Sequence, residues 1–224
     1  MLYERFLDVC RTFNDEGVDY LVVGAAALSL HGIPRGTQDL DFFVRPTAEN
    51  FERIRRALSR IWNDPEIREI THEPPAVIRY GTPDGFVIDL ILQLGEAFRF
   101  EDLEQEIIEV DGIPVHAASA RTLYAMKKDT VRPQDRADAD RLRRQFKLEC
   151  TMPVRRYDDF AAAEQDLWLD SSDPRLGEQI RRVWSFTERF TPRARAGVTR
   201  IEIGNAGEED GATATTSSVK RSSS

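Results

Sequence analysis

Apolar residues near the start of the chain recur with two different periods, and each period predicts a different element. Between Leu2 and Phe13 they return at helical spacing, which predicts an amphipathic helix ending at Gly17. Residues 20–23, Tyr-Leu-Val-Val, form an uninterrupted apolar run and predict a buried strand. Helical spacing returns over residues 51–61, so another amphipathic helix is expected there.

Alternation of polar and apolar residues predicts a second strand over residues 39–44, Asp-Leu-Asp-Phe-Phe-Val. Successive side chains of a strand point to opposite faces, so Asp39 and Asp41 share one face. Leu40, Phe42 and Val44 point to the core. The strand therefore carries two carboxylates side by side on a rigid element.

A β-hairpin is predicted from residues 76–80 and 86–92, joined by a Gly- and Pro-containing loop. Asp89 lies in the second strand of this hairpin among Val, Ile and Leu residues. An acid in such a strand costs several kcal/mol unless it is paired, protonated or bound to a cation. A further short hairpin is expected over residues 107–116.

The pattern becomes helical from Ser119, a predicted N-cap, and two later stretches also have helical spacing. The sequence after Asn205 has no aromatic residue and is expected to be disordered. The predicted fold class is α/β (α+β), with a mixed sheet flanked by helices and followed by a small C-terminal helical region. The expected divisions are an α/β core at 1–117, a helical region at 118–190, with helices at 160–169 and 176–190, and a flexible tail at 191–224.

Composition narrows the class of protein without indicating a chemistry. The 224 residues are 41% hydrophobic and 31% charged with a net charge of −8, which argues against coating nucleic acid by bulk positive charge. We find no DNA-binding motif. Cys10 and Cys150 have no CxxC spacing, and no apolar run approaches the length of about 20 residues that spans a membrane. A cytoplasmic protein without a membrane partner is expected.

The first strand and the acidic strand are joined by a turn and a short predicted helix. Gly24 permits a sharp exit from the first strand, and residues 25–31 suit a helix closed by Gly32. The positively polarised start of such a helix favours a phosphate group. Two carboxylates at about 4 Å repel by about 4 kcal/mol at an effective dielectric near 20, and a divalent cation is the usual reason for such a pair.

The motif Val-Gly-Ala-Ala-Ala-Leu…His-Gly…Arg-x-Thr-x-Asp-Leu-Asp, which starts at Val23, resembles the signature of the minimal nucleotidyltransferase superfamily. The greatest likeness is to the AbiEii-type toxins of type IV toxin–antitoxin systems and their relatives. The family has Gly-Gly or Gly-Ser at the turn, whereas this chain has Gly24-Ala25. The backbone N–H groups survive that change, but a serine hydroxyl for a phosphate does not.

A second motif further along the chain also resembles the family. It consists of a lysine followed by Arg-Pro-x-Asp-x-x-Asp, and here Lys127, Arg132, Asp135 and Asp138 occupy its positions. The alternative is that Asp135 caps the next helix and that Lys127 is a surface lysine. The resemblance covers residues 18–145.

The resemblance implies a Mg²⁺-dependent transfer of a nucleoside monophosphate from a nucleoside triphosphate to a hydroxyl acceptor. Two Mg²⁺ ions are implied, with Asp39, Asp41 and Asp89 as both catalytic residues and metal ligands, a role that suits hard oxygen donors. The triphosphate is expected to contact a set of residues from both motifs: Gly24, Ala25, Arg35, Thr37, Lys127, Arg132 and Asp135.

Three functional interpretations remain open at this stage. The first is a transferase, possibly a toxin, that modifies a tRNA or a protein and is countered by a cognate antitoxin. The second is an antitoxin that inactivates a partner toxin by nucleotidylation. The third is a non-catalytic nucleotide-binding module, which the presence of all three carboxylates disfavours and Ala25 favours.

Overall fold

The computed structural model describes residues 2–73, 76–94, 98–148, 174–188 and 197–201. In these ranges the helices are α1 (Leu2–Glu16), α2 (Gly24–Leu30), α3 (Ala48–Ser59), α4 (Ala120–Lys128), α5 (Pro133–Gln145) and α6 (Leu176–Glu188), with short 3₁₀ turns at Pro65–Glu69 and Phe100–Asp102. The strands are β1 (Tyr20–Val22), β2 (Asp39–Val44), β3 (Val77–Gly81), β4 (Val87–Ile91), β5 (Gln105–Val110), β6 (Ile113–Ala118) and β7 (Gly197–Ile201).

The described strands form one mixed sheet in the order β5-β6-β1-β2-β4-β3-β7. The two central contacts that join distant parts of the chain are parallel: β1 with β6, and β2 with β4. The hairpins β3–β4 and β5–β6 are antiparallel, as their short connections require. The α/β fold with a mixed sheet flanked by helices is therefore confirmed.

Local signals in the sequence account for where the helices begin and end. Gly17 has a φ of +66°, so it supplies the left-handed residue that closes α1. The Thr47 hydroxyl accepts a hydrogen bond from Asn50 N at 3.3 Å at the start of α3. The Ser119 hydroxyl does the same for Thr122 N at 3.1 Å at the start of α4. The N-cap predicted at Ser119 is confirmed.

The core lies between α1 and one face of the sheet. The Phe13 ring on α1 packs edge-on against Phe42 of β2, with ring centroids 5.3 Å apart, and both side chains are fully buried. Phe42 and Asp41 are neighbours in the strand and point to opposite faces. The helix α1 thus covers the face of the sheet opposite the acidic side chains.

The C-terminal part of the chain differs from the prediction in one respect. Residues 197–201, which were assigned to a flexible tail, form β7 and pair antiparallel with β3. Five residues between unpatterned segments carry too weak a periodic signal to predict a strand. The helix predicted over 176–190 is confirmed as α6. The helix predicted over 160–169 and the tail after Asn205 lie outside the described residues. Within the described ranges, no helix is long and apolar enough to cross a membrane.

Candidate active site

Three carboxylates lie on one face of the sheet at its centre. Asp39 and Asp41 belong to β2, and Asp89 belongs to the adjacent strand β4. The two strands are parallel, with Asp41 in register with Asp89. Neighbouring strands are about 4.8 Å apart, so in-register side chains on one face are direct neighbours. The predicted placement of the three acids on adjoining strands of one face is confirmed.

Gly24 gives the Asp41 carboxylate the space it occupies. Its φ is +65°, a left-handed conformation that side chains rarely adopt. A Cβ at this position would lie 2.7 Å from Asp41 Cγ. The preceding residue, Val23, donates its backbone N–H to Asp41 O at 2.9 Å, which ties the turn to the acidic strand. The turn therefore requires glycine both for its backbone and for the approach of the carboxylate. Ala25 follows in the first turn of α2 and is partly buried.

The charge at this face is not balanced around Asp41. Burial, followed by the neighbouring charges of Asp39 and Asp89, raises the pKa of Asp41 from 3.8 to about 7. Lys127 and Arg79 act in the opposite direction on this pKa. Burial is thus the main cause of the shift, and these two cations offset it only in part.

Thr37 fixes the first acid of the pair. Its buried hydroxyl lies 2.7 Å from Asp39 O and 3.1 Å from Asp39 Oδ1. Since one hydroxyl hydrogen is shared between a backbone and a side-chain oxygen of the same residue, Thr37 limits the rotation of Asp39. The structure thus places Thr37 beside an acid, where it orients the carboxylate.

Arg79 on β3 is a member of the site that we did not predict from the sequence. It is in register with Asp89, and its Nε and Nη2 donate to Asp89 Oδ1 and Oδ2 at 2.9 and 2.7 Å. The pair is bidentate, the geometry that guanidinium and carboxylate groups favour. In the structure the loop of this hairpin spans residues 82–86, which places positions 79 and 89 opposite each other, whereas the predicted loop over residues 81–85 would pair 79 with 87.

The second motif supplies a buried ion-pair cluster behind the acids. Lys127 Nζ on α4 lies 2.6 Å from Asp135 Oδ1 and 3.3 Å from Asp138 Oδ2, both on α5. Asp138 is almost fully buried, and burial raises its pKa above the usual range, partly offset by Arg35 and then Lys127. Lys127 also lowers the pKa of Asp41, so its charge reaches the acidic face. Lys127 is not a surface lysine, and Asp135 does not cap α5 with its side chain.

Arg35 faces the same cluster from the loop between α2 and β2. Its Nε lies 3.4 Å from Asp138 Oδ1. The Ser29 hydroxyl lies 3.1 Å from Arg35 O, which anchors the backbone of this loop to α2. Arg132 is exposed at the N-cap of α5. The structure therefore brings Arg35 to the Lys127 cluster and leaves Arg132 on the surface.

The donor chemistry of the acidic face suits a hard divalent cation. Carboxylate oxygens are the ligands that Mg²⁺ prefers, and a bound cation would oppose the burial and the neighbouring negative charges that raise the pKa of Asp41. Among the described residues, however, no three His, Cys, Asp or Glu side chains are already grouped closely enough to hold a metal ion. The Asp89 carboxylate instead faces Arg79. The residues fit the ion chemically, and Asp89 would have to exchange Arg79 for the ion.

A central mixed sheet with clustered carboxylates beside a glycine turn defines a protein of the nucleotidyltransferase class. The family model described as "Nucleotidyl transferase AbiEii toxin, Type IV TA system" matches residues 5–189. The chain belongs to this family and is a nucleotidyltransferase.

Two solved structures are also similar to the chain. One is a Thermotoga maritima protein, TM1012, described as a nucleotidyltransferase, with 19% identity and a TM-score of 0.42 over 65% of this chain and 92% of that one. The other is ANT(2″)-Ia in complex with adenylyl-2″-tobramycin, with 10% identity and a TM-score of 0.43 over 65% of this chain and 89% of that one. No protein with a curated description matches.

Proposed function

We propose that this nucleotidyltransferase uses Mg²⁺ to transfer a nucleoside monophosphate from a nucleoside triphosphate to a hydroxyl group of a tRNA or a protein. The observation that carries the proposal is the acidic face: Asp41 in register with Asp89 on parallel strands, with Asp39 on the same face. The raised pKa of Asp41 supports a requirement for added positive charge there.

The divalent ions would be held by Asp39, Asp41 and Asp89, and they supply neutralisation of the triphosphate and polarisation of its α-phosphate. In the reaction, a bond forms between the acceptor oxygen and the α-phosphorus, and the bond to the β-phosphate breaks. Pyrophosphate leaves with the electron pair of that bond. Asp89 accepts the proton of the acceptor hydroxyl as a general base.

In this proposal, each remaining predicted residue either contacts the triphosphate or holds another residue of the site in place. Gly24 and the backbone N–H of Ala25 line the approach to Asp41 and contact the phosphates. Lys127 contributes a point charge toward the triphosphate, while its pairs with Asp135 and Asp138 keep α4 and α5 in place. Arg35 and Thr37 act by holding Asp138 and Asp39, and Arg132 is available on the surface for the distal phosphates.

We also propose a functional division of the chain. Residues 1–117 form the α/β core that carries the three acids, and residues 118–190 form the helical part that supplies Lys127. Because Lys127 acts on the charge of Asp41, both parts contribute to one site. Residues 191–224 follow as a tail apart from β7.

The first experiment tests for a Mg²⁺-dependent nucleotide site. A ligand that binds only the folded protein raises its melting temperature with concentration. The parent should show such a shift with nucleoside triphosphates in Mg²⁺ and none in EDTA, and the double variant Asp39→Ala/Asp41→Ala should lose it. An equal shift in the double variant would place the nucleotide elsewhere and contradict the proposal.

Family membership favours the toxin role with a cognate antitoxin as partner. Labelled nucleoside triphosphates with total RNA or lysate identify the acceptor, and expression in cells measures growth arrest. Growth arrest that depends on Asp89 supports the toxin role. Protection of cells from a second protein that becomes labelled would identify an antitoxin instead. Binding without transfer to any acceptor would identify a nucleotide-binding module.

A further inference from the structure

The face of the sheet that holds Asp39, Asp41 and Asp89 also holds a cation, Arg79, which pairs with one of these proposed metal ligands. Asp89 is almost fully buried, and both oxygens of its carboxylate accept hydrogen bonds from Arg79, at 2.9 and 2.7 Å. A guanidinium fork set against a carboxylate covers the end at which a divalent ion would bind both oxygens. Arg79 and an ion thus require the same part of Asp89.

The surroundings of the pair make an exchange of partners possible. Asp89 is fixed on a central strand, whereas the Arg79 side chain on β3 is 43% exposed. A long, half-exposed arginine swings away at low cost, because water rehydrates its guanidinium outside the sheet. The acid remains in place on the face that also holds Asp39 and Asp41.

Arg79 also compensates the acids in the absence of an ion. Asp39 and Asp41 both interact favourably with its guanidinium, and the hydrogen bonds to Asp89 are the strongest of its stabilising contacts. Without that charge, two in-register carboxylates on adjacent strands would face each other uncompensated. The arginine therefore has a reason to be present before any metal binds.

We propose that Arg79 is a positioning residue that holds Asp89 in the metal-free enzyme and competes with the divalent ion for this carboxylate. The inference rests on the proposed function, since it takes Asp89 as a ligand of the ion. Assembly of the metal centre then requires that the Arg79–Asp89 pair opens, so metal binding is weaker than the three acids alone would give.

The test measures binding of Mn²⁺ alone, from the free-ion signal in electron paramagnetic resonance, together with the melting temperature in EDTA. In Arg79→Ala, Mn²⁺ should bind about tenfold more tightly, as expected for removal of a charge-assisted competitor. The melting temperature in EDTA should fall, because Asp89 loses its partner. Arg79→Lys keeps the positive charge but cannot form the bidentate pair, so it should bind Mn²⁺ with an intermediate affinity. This variant replaces Arg79→Ala in the test if Arg79→Ala does not fold.

Two controls connect the effect to Asp89. Arg5→Ala removes an arginine that pairs with Asp84 in the loop of the same hairpin and with Asp8, so it should leave Mn²⁺ affinity unchanged. In Arg79→Ala/Asp89→Asn, the gain in affinity seen for Arg79→Ala should disappear, since the contested carboxylate is gone.

The outcomes separate this inference from the proposed function. If the parent binds Mn²⁺ no better than Asp39→Ala/Asp41→Ala, the proposed metal centre itself is refuted and the inference with it. If the parent binds Mn²⁺ through these acids but Arg79→Ala and Arg79→Lys bind it equally well, only the competition is refuted and Arg79 is structural. A gain that persists in the Asp89→Asn background would also overturn it, since Arg79 would then act through general charge.

Discussion

Asp41→Asn should stabilise the metal-free protein at neutral and alkaline pH, although it removes one of the proposed metal ligands. The substitution keeps the shape of the side chain and removes the charge that burial, Asp39 and Asp89 disfavour. The hydrogen bond from Val23 N to Asp41 O is a backbone contact and survives. The effect therefore isolates the electrostatic cost of ionising Asp41 in the fold.

The magnitude follows from the pKa of the carboxyl in the two states. Its pKa is raised from 3.8 to about 7 on folding, so between these values the folded state binds more protons than the unfolded state. The contribution of Asp41 to stability is thus most favourable at low pH and decreases as the pH rises toward 7. One pKa unit corresponds to about 1.4 kcal/mol, which gives a loss of about 2 kcal/mol between about pH 5.5 and about pH 8.

Urea unfolding of the parent and of Asp41→Asn in EDTA measures the contribution of Asp41 ionisation to the free energy of unfolding. The difference in unfolding free energy between the two proteins should grow by about 2 kcal/mol over that pH interval, in favour of the variant. Comparing the two proteins cancels the titration of the histidines and of the acids that do not interact with Asp41. Parallel pH profiles would show that Asp41 titrates normally, and would refute the argument that the acidic face lacks positive charge.

Three further substitutions test other contacts of the site. Gly24→Ala places a Cβ against Asp41 in a left-handed backbone, so calorimetry should show a loss of about 1–3 kcal/mol and the Mg²⁺-dependent nucleotide shift should disappear. Lys127→Met removes a charge that lowers the pKa of Asp41, and the Asp41 midpoint observed by carboxyl NMR should therefore move to higher pH; an unchanged midpoint would contradict this. Asp89→Asn should retain nucleotide binding in a thermal-shift assay but lose transfer by about 10²-fold or more, and full transfer would remove Asp89 from the mechanism.

Local sequence patterns were sufficient to predict the strands and helices that contain the site residues. Period-2 alternation placed Asp39 and Asp41 on one face of β2, and the predicted hairpin over residues 76–92 placed Asp89 in its second strand. Capping side chains at Thr47 and Ser119 marked two helix starts. Each of these signals is contained within a few residues, so the sequence displays it directly.

The order of the strands required information that no local pattern contains. Nothing between residues 44 and 87 indicates that β4, and not β3, pairs with β2, yet this pairing sets Asp41 against Asp89. The parallel contact of β1 with β6 joins segments about ninety positions apart, at Val22 and Ala117. The family resemblance, and not periodicity, supplied the expectation that Asp89 joins the pair.

The charges around the site connect the two sequence motifs, because Lys127 of the second motif acts on Asp41 of the first. Lys127 is the cation that the second motif directs toward Asp41, but Asp135 and Asp138 each take part of its charge. Arg79 is the other nearby cation, and its hydrogen bonds are directed to Asp89. Asp41 pairs directly with neither cation, and burial, followed by the charges of Asp39 and Asp89, raises its pKa to about 7. A divalent ion and the Asp41→Asn substitution relieve the same excess charge, so the stabilisation by Mg²⁺ alone should be smaller in that variant than in the parent.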